Sequence, residues 1–278
     1  VRIAPTAFVY AGAEVSIIAG GDVTIDSNAD NSASFLAPNT SPGVAIGDIT
    51  YKRYIEDNNW HLVSAPVTSQ SIPSFVGVAG NAVAISTTTG SYAVAYYKNT
   101  NTAGNRWTYH NAAPDSEKEN QEILSNFIAG QGYSMKKKAD PGAGDYTFTG
   151  AMANADVSVT IPTTSTSSTH LWSAIGNPFP SFLPLNTAAD AANLLAGNID
   201  KLDESFASLY VWNGTSSQYE AIGLGGAALQ LAPGQAFLVR AKSTSETFVF
   251  SKASQKHNSG AATFYRPSTA TPTISVHL

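Results

Sequence analysis

The feature that most limits what this chain can fold into is that it spells one framework twice. "WHLVSAPV" begins at Trp60 and "WSAIGNPFPS" at Trp172, and Trp60 to Pro66 has the same spacing as Trp172 to Pro178. Each is followed by small residues and then an aromatic strand, "AYYKNT" from Ala95 and "LYVWNGT" from Leu209, aligning Tyr96 with Tyr210 and Asn99 with Asn213. A second aromatic comes after a turn, Trp107 in one copy and Tyr219 in the other. The clearest match, "AGQGYSMKK" against "PGQAFLVRA", sets Gly130, Gln131, Tyr133, Met135 and Lys136 against Gly234, Gln235, Phe237, Val239 and Arg240. Each copy closes on an alternating aromatic strand, "YTFTG" from Tyr146 and "FVFSK" from Phe248. Elements recurring in one order at similar spacing imply an internal duplication.

Aromatic and β-branched residues at period two suit a pleated, half-buried surface. Asn213-Gly214 between two aromatic strands suits a hairpin turn. The expected fold class is therefore all-β: an antiparallel, jelly-roll-like β-sandwich of two related halves, residues 49–162 and 163–266, joined through the Ser/Thr-rich 163–169. Residues 1–48 read as short strands broken by Ala-Gly and Gly-Gly, a β-meander or solenoid-like segment fitting the end of an upstream repeat region. Residues 267–278 read as the start of a further strand or linker, and the chain as a fragment of a longer one. "ITYKRYI" alternates Ile49, Tyr51, Arg53 and Ile55 with polar partners. A helix is expected over 186–200, capped by Asn186 or Thr187, with Leu194 and Leu195 inward and Gly197 at its end. "DSEKENQEILSNF" from Asp115 also has helical composition. Trp60, Trp172, Tyr133 and Phe237 are expected in the core. Within "GNPFPS", Gly176 and Asn177 permit a corner that Pro178 and Pro180 stiffen, with Asn177–Pro178 a candidate cis bond.

Composition excludes several function classes. A net charge of −5 leaves no basic face for a nucleic acid, and the only basic run, Lys136 to Lys138, reads as a solvated strand end guarding a sheet edge. With no cysteine there is no disulfide, zinc-thiolate site or thiol catalysis. No apolar run is long enough for membrane insertion. Only 13% of residues are charged, while Ser, Thr, Asn and Gly abound, a surface common in secreted β-proteins.

The candidate chemistry is sparse. His61, His110, His170, His257 and His277 have no Gly-x-Ser-x-Gly elbow to serve. The acids cluster in two connecting segments, Asp115, Glu117, Glu119, Glu122 and Asp200, Asp203, Glu204, which read as solvated loops rather than a glycosidase pair. Asp26, Asn28 and Asp30 open like a calcium loop, but Asn31 stands where the turn needs glycine and Ala37 where it needs glutamate. No metal site or cofactor is expected, a structural calcium in this turn being the one exception left open. The strongest candidates are aromatics at hairpin ends, since sugar-binding sandwiches stack flat rings on pyranoses and use amides for hydroxyls. Trp107, Tyr109, Trp212 and Tyr219, with Asn99 and Asn213 and the nearby Asn105 and Gln218, are the expected glycan residues. Trp60, Pro66, Trp172, Pro178, Gly130, Gln131, Gly234 and Gln235 are the structural repeat signature.

The order Trp172, "GNPFPS", "YVWNG", "PGQAFLV" and "FVFSKASQKHNSGAATFYR" resembles the region near the C-terminus of large extracellular proteins of Bacteroidota, upstream of the sorting domain used by type IX secretion. The resemblance covers roughly residues 50–278 and brings no catalytic residues. It implies a secreted or cell-surface β-module attached to diverse upstream regions, among them adhesins and polysaccharide-degrading enzymes. The expectation is thus a non-catalytic structural or assembly module, adhesin-like, whose partners are other domains of the same chain, surface proteins or glycans. The alternatives are a carbohydrate-binding module and, more weakly, the accessory region of a polysaccharide hydrolase.

Overall fold

The computed structural model describes residues 1–10, 22–39, 41, 47–163, 170–214 and 216–258. The Ser/Thr stretch 164–169, the region 267–278 and His277 lie outside the described residues. The fold is nearly all β.

The N-terminal segment carries β1 (Arg2–Ile3), β2 (Phe8–Tyr10), β3 (Thr24–Ile25) and β4 (Ser34–Leu36), and leads into β5 (Asp48–Ile55). β1 pairs in parallel with β3, β3 with β5, and β2 with β4, which is the pairing of a coil and not of a meander. This segment shares its core with the first half of the duplication, since Ile3, Ile25, Ala33, Phe35 and Ala37 enter the same buried cluster.

The first half continues with β6 (Trp60–Val63), α1 (Ile72–Gly77), β7 (Val94–Tyr97), β8 (Trp107–His110), β9 (Gln121–Glu122), β10 (Tyr133–Lys136) and β11 (Gly144–Ala151). They form two sheets, β1-β3-β5-β11 and β6-β10-β7-β8-β9. β5 alternates as its sequence does, burying Ile49, Tyr51, Arg53 and Ile55. Between the sheets Phe75 from α1 stacks on Phe148 at 4.8 Å and meets Phe127 edge-on at 5.1 Å, each buried ring contributing roughly 1.5–3 kcal/mol. α1 is short enough to escape periodicity arguments, yet it is well specified. Ser71 Oγ accepts from Ser74 N at 3.3 Å and Pro73 sits in the first turn.

The second half comprises β12 (Val157–Ile161), β13 (Trp172–Gly176), β14 (Leu183–Pro184), β15 (Leu209–Asn213), β16 (Gln218–Ile222), β17 (Gln230–Leu231), β18 (Ala236–Arg240) and β19 (Glu246–Phe250). Its main sheet, β13-β18-β15-β16, has the strand order of β6-β10-β7-β8, and β12-β19 is paired like β5-β11. Register matches too, Trp60 lying opposite Lys136 as Trp172 lies opposite Arg240. It also corrects one alignment: Ser134 pairs with Ala95 and Leu238 with Tyr210, so Tyr210 corresponds to Ala95 and Trp212 to Tyr97. The expected match of Tyr96 to Tyr210 and Asn99 to Asn213 is one residue out of step, and in a strand one residue exchanges the faces.

Several local expectations give way to buried amides. Residues 186–198 form successive turns, with only a 3₁₀ turn at Ile199–Lys201. Asn186 Nδ2 donates to Ala227 O at 2.6 Å, and Asn193 Oδ1 accepts from Ala196 N at 2.8 Å. Asn198 donates to Leu194 O at 2.8 Å and accepts from Val249 N at 2.7 Å. These side chains supply the bonds that a helix would have supplied, although Leu194 and Leu195 are buried as expected. The segment from Asp115 is turn and short strand, not helix. Lys137 is not solvated: it is fully buried, donates to Asn81 O at 2.7 Å and Asp145 O at 3.0 Å, and lies over the Tyr146 ring.

The repeated signature turns out to be the joint between the halves. Ser64 N donates to Gly234 O at 3.1 Å, and the corresponding Gly176 N donates to Gly130 O at 2.9 Å. Val63 bridges to Gln235 and Ile175 to Gln131 in the same reciprocal way. Each Gly-Gln segment thus holds the end of the other half's Trp strand, as a two-fold interface would. Glycine is required on steric grounds: Gly130 and Gly234 have φ of 80° and 69°, and a Cβ at Gly176 would lie 2.7 Å from Ser64 Cβ and 2.8 Å from Gln235 O. Asn177 is completely buried, donating to Ser181 O at 2.7 Å and Ala232 O at 3.2 Å and accepting from Phe179 N at 3.0 Å. Pro66 and Pro178 are buried as well. The corner is structural, as expected, but the Asn177–Pro178 bond is trans; cis bonds among the described residues precede Pro141 and Pro162.

Candidate functional site

Joining the halves at the Gly-Gln segments brings the outer faces of their main sheets together. Leu62, Ala174, Ala236 and Leu238 form the small buried centre of this contact, and Tyr97, Trp107, Trp172, Tyr210 and Trp212 pack around it. Ala174 and Ala236 at the centre let the sheets approach, and large rings fill the flare on either side. Trp172 therefore lies half-buried between sheets, Trp60 is half-buried and packs against the margin of the first half's core, and Tyr133 and Phe237 are buried in the cores as expected.

The two sides of this contact differ. Beside Trp172 the space is filled: Phe206 meets Trp172 edge-on at 5.5 Å, Tyr210 does so at 5.0 Å, and Arg240 covers Phe206 at 4.5 Å. Tyr97 Oη and His170 Nε2 share a hydrogen bond of 2.7 Å, and Asn99 Nδ2 donates to the carbonyls of His170 and Trp172. Beside Trp60 the space is open, a groove of about 250 Å³ lined by Trp60, His61, Leu62, Trp107, Tyr109, Ser134, Trp212 and Tyr219.

The open side is built from hairpin pairs. Trp212 lies opposite Tyr219 across β15 and β16, with centroids 5.0 Å apart and planes at 64°. Its counterpart, Tyr97 opposite Trp107, has centroids 5.1 Å apart and planes at 80°. Trp60 and Tyr109 meet edge-on at 6.0 Å, and Lys136 stands over Trp60 at the same distance. Edge-to-face contacts fix ring orientation, each pair covering one face of one ring and leaving the opposite faces uncovered by that pair. Tyr219 is the most exposed of these rings, at 40%. Gly214, in the hairpin turn, sits 3.7 Å from the Trp60 carbonyl measured from its would-be Cβ, so the second half's turn closes onto the first half's strand.

At the polar edge His61 Nε2 and Asp57 Oδ1 are 2.9 Å apart. Burial pulls the His61 imidazole below its usual range, and Asp57 only partly offsets this. Burial would raise the Asp57 carboxyl, but hydrogen bonds from Asn59 and His61 outweigh it and hold the carboxyl low. Burial raises the Tyr109 phenol. Ser134 makes no hydrogen bond to His61 among the described residues, so the groove's serine and histidine are not linked as a nucleophile and base.

Of the residues expected to bind glycan, Trp107, Tyr109, Trp212 and Tyr219 are brought together in this one groove, two from each half. Asn99 and Asn213 are not part of it. Asn99 is buried at the filled side, and Asn213 Nδ2 donates to Glu220 Oε1 at 2.6 Å within its hairpin. Trp60, His61, Leu62 and Ser134 were not among the expected binding residues; the hydrophobic pattern that marks Trp60 as core cannot say which face of its sheet is covered. In the turn that opens at Asp26, Asn28 Oδ1 accepts from Asp30 N at 2.9 Å and Asn31 N at 2.8 Å, and Asp26 is engaged by Arg2. Among the described residues no three His, Cys, Asp or Glu side chains gather as a metal site, and no helix is long and apolar enough to cross a membrane.

A second, larger cleft of about 810 Å³ adjoins the groove and shares Trp60 and Tyr109 with it. Its far wall is polar, with Asn105, Glu117, Lys118, Glu119, Asn120 and Gln121. Glu119 is tied to the Thr102 hydroxyl and, at 3.0 Å, to Asn105 Nδ2, and those bonds hold its carboxyl below the usual range.

No curated protein and no solved structure matches the chain. A family model does match, over residues 1–277, and the chain therefore belongs to the family described as domain of unknown function DUF8693.

Proposed function

We propose that this is a non-catalytic, extracellular β-module that binds carbohydrate in the aromatic groove between its two halves. The observation that carries the reading is the convergence of Trp60, Trp107, Tyr109, Trp212 and Tyr219 on one open site, at a position whose counterpart beside Trp172 is filled. Rings held edge-to-face present flat apolar surfaces to the C–H faces of a pyranose, and His61, Ser134 and the tyrosine hydroxyls lie at hand for its hydroxyls. The low charge content and the resemblance to secreted surface proteins support the extracellular setting. A glycan array tests it. Binding that is lost in Tyr219→Ala and Trp212→Ala is the expected result, and an array without a single specific hit overturns the reading.

A second reading, a rigid spacer or assembly module of a large surface protein, is favoured by the reciprocal joint, which leaves little freedom for one half to swing on the other. The two readings are compatible, since a rigid spacer presents a binding groove at fixed orientation to other domains of its chain. Hydrogen exchange tests the spacer: Gly176 and Ser64 amides as slow as the core amides support it, and fast exchange there contradicts it.

A further inference from the structure

The groove and the neighbouring cleft are two spaces on either side of one ridge, the edge-to-face pair Trp60 and Tyr109. The groove, at about 250 Å³, falls below the roughly 300–1,000 Å³ of sites that bury a whole small ligand, while the cleft, at about 810 Å³, falls within it. Their chemistry is also divided. The groove supplies rings; the cleft supplies amides and charges on its far wall. The Asn120 side chain is half-buried and has no hydrogen bond among the described residues, and the side chains of Glu117 and Lys118 are likewise unbonded. Two cations, Lys118 and Lys136, and two anions, Glu117 and Glu119, line the cleft, so it has no net preference for a charged ligand.

Building on the glycan reading above, we infer that the ligand is a linear, neutral oligosaccharide long enough to cross the ridge. One end stacks in the groove between the two halves, the chain passes over Trp60 and Tyr109, and further units bond to Asn120 and its neighbours. A terminal monosaccharide or disaccharide would fill the groove alone and leave the cleft to water. Charge balance disfavours uronic-acid chains, whose carboxylates would meet Glu117 and Glu119 as often as the lysines.

The experiment is calorimetric titration of the whole chain with ladders of neutral oligosaccharides from cello-, xylo- and manno-series, each running from the monosaccharide to the hexasaccharide, and with an oligogalacturonide ladder. Affinity is expected to rise about tenfold or more between disaccharide and hexasaccharide in the series that binds. Asn120→Ala should abolish that rise while leaving the disaccharide affinity unchanged, and Tyr219→Ala should weaken every member. Affinity that is flat with length, or a rise untouched by Asn120→Ala, overturns the long-chain inference while the aromatic-groove reading stands. Tighter binding of the oligogalacturonides overturns neutrality. Failure of every ladder, together with an empty glycan array, removes the groove reading itself. Circular dichroism of each variant keeps loss of binding distinct from loss of fold.

Discussion

The two sides of the contact between the main sheets are near-equivalents with different fates. Both begin with a tryptophan paired in register to a long cation, Trp60 with Lys136 and Trp172 with Arg240, and both receive an aromatic hairpin pair from the opposite half. Beside Trp172 the 3₁₀ turn Glu204–Phe206 delivers Phe206 into the space, and His170 with Asn99 seals it. In the first half, where Tyr210 corresponds to Ala95, the position of Phe206 is taken by Ser91, which brings no ring to the space beside Trp60. A symmetric joint has thus acquired an asymmetric surface.

The joint itself should be the most sensitive part of the comparison, because both sides depend on it. Gly176→Val places a branched side chain within contact of Ser64, Ala236 and Gln235. We expect a loss of about 3 kcal/mol or more in urea unfolding, the upper end for overpacking. Gly225→Val, where nothing lies within 4 Å of the would-be Cβ, should stay within about 0.5 kcal/mol. Next in size is Phe206→Ala, which empties the filled side. Because Phe206 is half-buried, the expected cost is about 1–2 kcal/mol, below the range for a fully buried ring, and acrylamide should then quench Trp172 more strongly.

A smaller contrast is electrostatic. Where the second half buries Ala241, the first buries Lys137, and burial lowers that ammonium from 10.5 to about 8. Between about pH 8 and 10 the unfolded chain therefore holds a proton that the folded chain has released, so stability rises with pH across that window. Above about pH 10 the trend should reverse, because buried tyrosines such as Tyr51, raised by burial to about 12, stay protonated in the fold while those of the unfolded chain ionise. Lys137→Met should flatten the rise measured by urea unfolding at stepped pH. Among the side-chain truncations the smallest stability effect is expected for Tyr219→Ala, within about 1 kcal/mol because the ring is 40% exposed, even though glycan binding should be lost.

Much of this architecture is legible in the chain. Alternation in "ITYKRYI" marks the buried face of β5, and the doubled Gly-Gln framework marks strands that do prove to share order and register. What the pattern does not carry is the partner of an outer face. A period of two distinguishes the two sides of a strand but not core from inter-sheet contact, which is why Trp172 reads as core and Asn99 as a hydroxyl-binding amide. The helix expected at 186–200 fails for a related reason: Asn186, Asn193 and Asn198 look like surface residues, and only the fold reveals them buried and bonded to the backbone. The aromatics at hairpin ends are readable as a set; that Trp107 and Tyr109 meet Trp212 and Tyr219 depends on the reciprocal joint, a long-range event.

The most direct test of the open-side account uses the four tryptophans, each of which contributes one indole N–H signal to a nuclear magnetic resonance spectrum. Titrating the saccharide found by array should shift the Trp60, Trp107 and Trp212 signals and leave Trp172 unmoved. A Trp172 signal that shifts as far as the other three, or saccharide binding that moves none of the four, would contradict it.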